Sequence, residues 1–346
     1  MKYDKLKICI AGLGIVGQRR LQIIKSLKFY EVVAICDTKF KKEYFSKNDN
    51  VYYYKSYLSL FKHKFDAIFV CMPNDIAPKV VKYSLNKNKH VFCEKPPGRN
   101  LSDIKSILRV KNKYKNLSLV YGFNHRFHRS IIDAKKIIES KKLGKIISIK
   151  CLYGKSKLIT FNQTDWRTKR EIAGGGILLD QGIHIIDLLR YFAGEFKTEK
   201  SYVLNNFWKH DVEDNVYAFL KNKEGVIAFV HSSATQWMHK FEIDINLTKG
   251  SLILSGILSS SKSYGDEKLK VIKSNKNSRK LFKETEYKYH EDPSWENEII
   301  SFYKIINKKQ RLNNGSPVDA LNSMKLVFDI YYADKKWRKK FSIKKN

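Results

Sequence analysis

Leu6-Lys7-Ile8-Cys9-Ile10-Ala11-Gly12-Leu13-Gly14-Ile15-Val16-Gly17, read as LKICIAGLGIVG, decides how the rest of the chain is read. An apolar run reaches a G-x-G-x-x-G turn and continues into residues 15–27, where Val16, Leu21, Ile24 and Leu27 recur at helical spacing. The spacing predicts strand, tight turn and helix in that order. Gly12, Gly14 and Gly17 let the backbone approach a pyrophosphate, whose charge then sits at the helix N-terminus, where Ile15 and Val16 open the helix. The next apolar run, Val32 to Cys36, is followed by Asp37, placed about twenty residues past the turn, where an acid accepts the adenosine ribose hydroxyls. An acid there repels a 2′-phosphate, so NAD is expected and NADP is the weaker alternative, with Lys39 softening the preference.

The same alternation continues. Ala67 to Met72, His90 to Cys93 and Leu117 to Tyr121 read as strands, with helices at Ile76 to Leu85 and Leu101 to Val110. Strands without polar alternation, separated by helices, predict a parallel sheet covered on both faces. Met72-Pro73-Asn74 ends one strand and so falls on the carboxyl edge that carries the glycine turn. After a helix at Ile131 to Glu139 and a turn at Gly144 the pattern changes. Ile146 to Tyr153, Tyr202 to Phe207, Asn215 to Leu220, Val226 to Ser232, Glu242 to Leu247 and Ser251 to Leu254 are short strands, often joined by turns such as Lys223-Glu224-Gly225. Consecutive strands with short turns predict an antiparallel sheet. Two helices follow, Pro293 to Asn307 and Val318 to about Lys336. The expected architecture is an α/β dinucleotide-binding domain over residues 1–123 and an α+β domain with an open, mainly antiparallel sheet over 124–346, its last helices free to pack back on the first domain. No internal repeat is found, and Ser259 to Ser263 is the one run of low complexity.

Composition limits the classes of function. In 346 residues, a hydrophobic fraction of 43% and an aromatic fraction of 13% belong to an ordered globular protein. No apolar run approaches the roughly 18 residues that span a bilayer. Met1-Lys2-Tyr3-Asp4-Lys5 leads into the first strand and not into a signal-peptide core, so a cytoplasmic protein with no membrane partner is expected. Cys9, Cys36, Cys71, Cys93 and Cys151 lie in or beside apolar runs and form no C-x-x-C pair, which reads as buried reduced thiols with no metal site. The net charge of +33 is spread over nearly every segment together with abundant asparagine, a compositional bias more than a nucleic-acid footprint. It also gives a positive field that suits an anionic small substrate. The basic tail Lys335 to Lys340 reads as a solvated helix end.

The second informative segment is Gly174-Gly175-Gly176-Ile177-Leu178-Leu179-Asp180-Gln181-Gly182-Ile183-His184-Ile185-Ile186-Asp187. A glycine run opening a helix permits close approach of a ligand, and Asp180 and His184, four apart, share one helix face. A histidine beside an acid is a general-base candidate, since its reference pKa of about 6.5 allows proton uptake at neutral pH. Such a pair also serves structural roles; the flanking glycines and the upstream dinucleotide motif favour chemistry here.

GLGIVG after the first strand, CEKPPGRN at Cys93 to Asn100, the pair Trp166-Arg167 and GGGILLDQGIH together resemble the Gfo/Idh/MocA family of NAD(P)-dependent oxidoreductases over nearly the whole chain. The resemblance implies a Rossmann domain joined to an open sheet, an active site in the cleft between them, and a homodimer or homotetramer built through the sheets. It gives Lys95 the position of the family's EKP lysine, beside the nicotinamide and the reacting hydroxyl, and makes Glu94 a local partner or cofactor neighbour. Asp180 and His184 take the places of the acid and histidine of its D-x-G-x-H segment. Asn124 and Arg126, in Phe123-Asn124-His125-Arg126-Phe127, and Trp166 with Arg167 correspond to substrate-side positions. There the arginines could hold a carboxylate or phosphate, or serve as structural ion pairs. Two departures set this chain apart: Ala77 stands where many members carry a histidine, and Pro97 where a larger aliphatic follows EKP.

The reaction so implied is oxidation of a secondary hydroxyl of a sugar, nucleotide-linked or a sugar acid used in surface polysaccharide. A free polyol such as an inositol is the second enzyme reading. A dinucleotide-binding sensor without turnover is the reading of another class, against which the intact Lys95, Asp180 and His184 set counts.

Overall fold

A computed structural model of the chain describes residues 5–158, 165–259, 263–274 and 282–345. Residues 1–4, which include most of the expected N-terminal lead, and 260–262, the centre of the serine-rich run, lie outside the described residues. Contacts divide the chain into two units, Met1–Phe123 with Trp295–Leu321, and Asn124–Ser294 with Asn322–Asn346.

The first unit runs β1 (Leu6–Ala11), α1 (Ile15–Ser26), β2 (Tyr30–Cys36), β3 (Tyr44–Ser46), β4 (Val51–Tyr54), β5 (Ala67–Val70), α2 (Ala77–Asn86), β6 (His90–Glu94), α3 (Leu101–Lys111) and β7 (Leu119–Gly122). Its sheet has the order β3-β4-β2-β1-β5-β6-β7, parallel except at the β3–β4 edge. The order reverses between β1 and β5, and at such a switch point the carboxyl ends of the strands open a crevice for a ligand. The central strands are buried because helices cover them: Ile8, Ile10, Phe69 and Phe92 have no exposed surface and pack with Ile299 and Phe302. Phe302 stands edge-on to both Phe69 and Phe92, at 5.5 and 5.6 Å between ring centres. Residues 295–321 thus belong to this unit's core although they follow the second sheet in sequence.

The second unit contains α4 (Arg129–Glu139), β8 (Ile146–Gly154), α5 (Arg170–Ala173), α6 (Ile183–Ala193), β9 (Phe196–Leu204), β10 (Asn215–Asn222), β11 (Ile227–Ser233), β12 (Lys240–Leu247), β13 (Gly250–Ser255), β14 (Glu267–Ser274) and β15 (Phe282–Tyr289). Three helices end the chain: α7 (Ser294–Ile306), α8 (Pro317–Ala333) and α9 (Lys335–Lys340). The sheet order is β15-β14-β13-β12-β8-β11-β10-β9. Its pairs are antiparallel except for β8 with β11, which run parallel, so the sheet is mainly antiparallel, as the sequence predicts. The most apolar helical stretch, Arg170–Ala193, is long enough to cross a membrane but is mostly buried in this unit as a core element.

One face of the second sheet carries the core and the other is open. In-register rows on the open face include Tyr202, Tyr217, His231 and Leu152, and beside them Lys200, Phe219, Phe229 and Lys150. Tyr202 and Phe219 are about half exposed.

Three local differences have physical causes. The strand expected at Tyr202 to Phe207 instead spans Phe196–Leu204, because the Asp214 carboxylate accepts the Phe207 and Trp208 N–H groups and turns the chain there. The helix expected from Val318 to about Lys336 breaks at Asp334, whose side chain caps a new helix by accepting the Trp337 N–H. β14 and β15, for which no strand is expected from the sequence, carry Lys268 and Lys270 on one and Glu284 and Glu286 on the other, and Lys270 pairs with Glu284 across them at 2.7 Å, so ion pairs tie the hairpin beside the buried Leu269 and Val271.

Candidate active site

On the first unit the glycine turn is built for backbone contact. Gly12 has φ of +95°, and a side chain there would meet the Cys71 carbonyl oxygen at 2.4 Å and Met72 Cγ at 3.2 Å. The β1–α1 turn therefore lies against the end of β5, which brings Met72-Pro73-Asn74 to the same edge. A Cβ on Gly17 would lie 2.0 Å from the Gly12 carbonyl oxygen, so helix and turn touch backbone to backbone. Gly14 faces open space, with nothing within 4 Å of an added Cβ. It caps α1 without a side-chain bond, and no acid stands in the first helical turn, which leaves the first N–H groups directed at that space. Asp37 closes the turn from the side: one carboxylate oxygen accepts the Leu13 N–H at 2.7 Å and the other the Lys39 N–H at 2.9 Å. These residues fit a dinucleotide, since a pyrophosphate needs an uncrowded, donor-rich helix start and a ribose needs a fixed carboxylate.

This geometry separates two glycines in experiment. Gly14→Ala is expected to fold with unchanged thermal stability and to bind NADH roughly tenfold more weakly. Gly17→Ala has no room for its methyl and is expected to lower the melting temperature as well. Thermal denaturation with NADH fluorescence titration measures both.

Lys95 follows β6 and is partly exposed, in a turn where the Lys95–Pro96 peptide is cis. The turn is anchored at both ends. Asp103 accepts the Arg99 N–H at 3.0 Å, and the Asn100 side chain caps α3 by accepting the Asp103 N–H. Before Lys95, Glu94 accepts from Arg20 Nε at 2.8 Å, and Arg20 Nη2 donates to Glu298 at 2.5 Å. Arg20 is fully buried, sandwiched between the rings of Phe92 and Trp295 at 4.5 and 4.3 Å. Burial pushes the Glu298 carboxyl up to about 8, and the Arg20 guanidinium opposes that rise. Glu94 is thus an ion-pair partner of Arg20.

On the second unit Asp180 and His184 lie on consecutive helical segments, a π-helical turn at Leu178–Gly182 and then α6. The glycine run before them is tied down by Glu213. Its carboxylate accepts the Gly176 and Leu178 N–H groups at 2.7 and 3.0 Å and the Tyr331 hydroxyl at 2.6 Å. Gly176 is glycine because a Cβ would meet the Glu213 carbonyl oxygen at 2.1 Å. Burial pushes the Glu213 carboxyl up while those donors hold it down.

Asp180 is flanked by two cations, Lys155 Nζ at 3.6 Å and Arg167 Nε at 3.5 Å. Arg167 lies over the Trp166 ring at 4.4 Å, so Trp166, Arg167 and Asp180 do meet. His184 is buried, with its ring stacked on that of His125. Two substrate-side expectations are corrected. Arg126 is only 3% exposed and spends Nε and Nη2 on the two oxygens of Asp187 at 2.6 and 2.7 Å, so it is a core ion pair and no anion clamp. Asn124 is buried, its amide Nδ2 donating to Ser294 Oγ and its Oδ1 facing His125.

Lys155, Glu213 and His125 were missed in the sequence. Lys155 stands directly past β8, one residue beyond Gly154, where the strand reading stopped short. His125 lay in the quoted FNHRF segment and was passed over for the arginine beside it. Burial pushes all five thiols upward, so they remain protonated at neutral pH.

A donor-rich glycine turn on a doubly wound sheet, followed by a mixed-sheet domain carrying an acid and a histidine, defines a two-domain dinucleotide oxidoreductase. Residues 6–123 match the oxidoreductase family with NAD-binding Rossmann fold, and residues 131–253 match the GFO/IDH/MocA C-terminal domain. The chain belongs to the Gfo/Idh/MocA oxidoreductase family. It is 28% identical over 195 residues to 1,5-anhydro-D-fructose reductase of Ensifer adhaerens, covering 54% of this chain and 56% of that protein. It is 26% identical over 238 residues to myo-inositol 2-dehydrogenase of Thermotoga maritima, covering 66% and 68%. The chain thus spans only a little over half the length of the first of these relatives. A solved levoglucosan dehydrogenase in complex with NADH shares the fold, with a TM-score of 0.83 at 18% identity over 96% of this chain and 98% of that one. So does a 3-ketoreductase from Actinomadura kijaniata in complex with NADP and TDP-benzene, at 0.79 and 17% over 93% and 96%.

Proposed function

We propose that this chain is an NAD-dependent dehydrogenase that oxidises a secondary hydroxyl of an anionic sugar, nucleotide-linked or a sugar acid, in the making of surface polysaccharide. The observation that carries the reading is the pairing of Asp180 with both Lys155 and Arg167 one helical turn from His184. It is a polar cluster in which cations outnumber the acid, on a chain of strongly positive charge. Gly12, Gly14, Ile15, Val16, Gly17, Asp37 and Met72-Pro73-Asn74 hold the dinucleotide, which supplies the hydride acceptor. His184 takes the hydroxyl proton on an imidazole nitrogen as the carbinol hydrogen leaves with its electron pair. The family resemblance gives Lys95 Nζ the polarising of the reacting oxygen. Asp180, fixed by its two cations, orients the sugar. Asp37 supports NAD over NADP, because a carboxylate at this position repels a 2′-phosphate.

The second reading, a neutral polyol, is favoured by the likeness to the myo-inositol enzyme, the longest of the two relatives' alignments. NADH or NADPH formation, followed by absorbance, with UDP-sugars, sugar acids and inositols, each offered NAD and NADP, separates them. Turnover with inositols alone would sink the anionic reading. A cytoplasmic homodimer or homotetramer is part of the proposal, supported by the half-exposed Tyr202 and Phe219 on the open sheet face.

A further inference from the structure

The His184 ring has a partner that the family motif does not announce. His125, from the turn Asn124–Phe127, stacks on it with ring centres 3.8 Å apart and planes inclined by 13°. Both rings are buried. The edges of His125 are held by oxygen atoms, Nδ1 lying 3.3 Å from Asn124 Oδ1 and Nε2 3.2 Å from the Tyr153 hydroxyl. Because Asn124 uses Nδ2 to donate to Ser294, its oxygen is the atom turned to His125, and Nδ1 is the protonated nitrogen of that ring. Nε2 then accepts from Tyr153 when the ring is neutral and donates to it when the ring is charged. In the charged state Tyr153 can turn its O–H to Tyr264, with which it is hydrogen-bonded and whose hydroxyl donates to Gln181 at 3.2 Å. His125 therefore has an oxygen for each N–H of an imidazolium.

Two imidazoliums stacked at this separation in a buried site repel, so protonation of one suppresses protonation of the other. We propose that His125 and His184 carry at most one added proton, and so one positive charge, between them at neutral pH, that His125 is its home, and that His125 thereby keeps His184 in the neutral form a general base needs. His125 is a positioning residue in this scheme, which rests on the assignment of His184 as the base. The other charged groups around the pair are largely matched. Arg126 and Asp187 neutralise each other, His128 lies between Glu267 at 2.7 Å and Asp292 at 3.8 Å, and Asp180 sits with Lys155 and Arg167. Phe241 from β12 and Tyr153 from β8 complete the surround of His125.

Imidazole NMR titration of the full chain tests the pairing without a substrate, with the two rings assigned by loss of signal in His125→Phe and His184→Gln. In the unmodified protein the pair is expected to titrate in two steps separated by about two units or more. His125→Phe keeps a ring face and removes the charge, and is expected to raise the His184 midpoint by about one unit, a tenfold gain in proton affinity. Tyr153→Phe, which withdraws the acceptor of the second N–H, should move it the same way by less. Two independent midpoints near the ordinary value of about 6.5 in the unmodified protein overturn the proposal even if no variant folds. An unmoved His184 midpoint in His125→Phe does the same. A shifted midpoint together with undiminished hydride transfer in His184→Gln upholds the pair and removes the base assignment, so the two ideas fail separately.

Discussion

His184→Gln is expected to slow hydride transfer by about 10²- to 10⁴-fold, the span that a positioned general base contributes, while NADH affinity stays within about twofold. Glutamine fills much of the same volume and accepts and donates hydrogen bonds, yet it cannot carry away a proton near neutral pH. The buried ring position is thus kept and only the chemistry is removed. Lys95→Ala is expected to lose a comparable factor by a different route. On the proposed mechanism it takes away the cation that polarises the reacting oxygen as negative charge develops there, an interaction stronger in the transition state than in the bound substrate. Both losses should fall on kcat more than on KM. Single-turnover NADH formation measures the rate, and NADH fluorescence titration measures the affinity. Full-rate turnover by both variants would remove the roles given to His184 and Lys95, whereas a parent chain that binds NADH and turns over none of the sugars would leave the dinucleotide-binding sensor as the better description.

That such a test can be framed at all reflects where the sequence carries information. The glycine turn was legible because tight turning, backbone approach and helix start each demand a particular residue at a fixed spacing, and the structure gives Gly12, Gly14 and Gly17 those separate surroundings. Asp180 and His184 were legible as parts of one helical stretch, although a π-helical turn at Leu178–Gly182 stands where the spacing predicts continuous α-helix. What the sequence hid are the contacts that cross between elements. Arg126 looked like an anion clamp because a single arginine in a motif carries no sign of its partner, and Asp187 lies 61 positions away. Lys155, Glu213 and His125 depend on strand register and on the return of β8 and β10 to the helix start, which local periodicity does not encode. The strand pair β14–β15 was hidden by its charges, which satisfy each other only once the hairpin exists.

The corrected role of Arg126 makes the second large prediction one of stability. Arg126→Met is expected to cost about 3–5 kcal/mol, the range for breaking one side of a buried ion pair, because it strands the Asp187 carboxylate in the core. The pair is bidentate and almost fully buried, and Arg126 also lies over the Tyr191 ring at 4.9 Å. Asp187 has further donors, with Ser323 Oγ at 3.2 Å and Arg190 Nη1 at 3.8 Å, so some of its charge stays compensated and the lower end of the range is the better expectation. The double variant Arg126→Met with Asp187→Leu removes both charges and should recover a substantial part of the loss, since replacing a whole buried pair by apolar groups is often close to neutral. Urea unfolding of the two variants beside the parent chain reads the difference. If Arg126 were instead a substrate clamp, the single variant would unfold at the parent's urea concentration and show its effect only in KM, and the double variant would regain nothing.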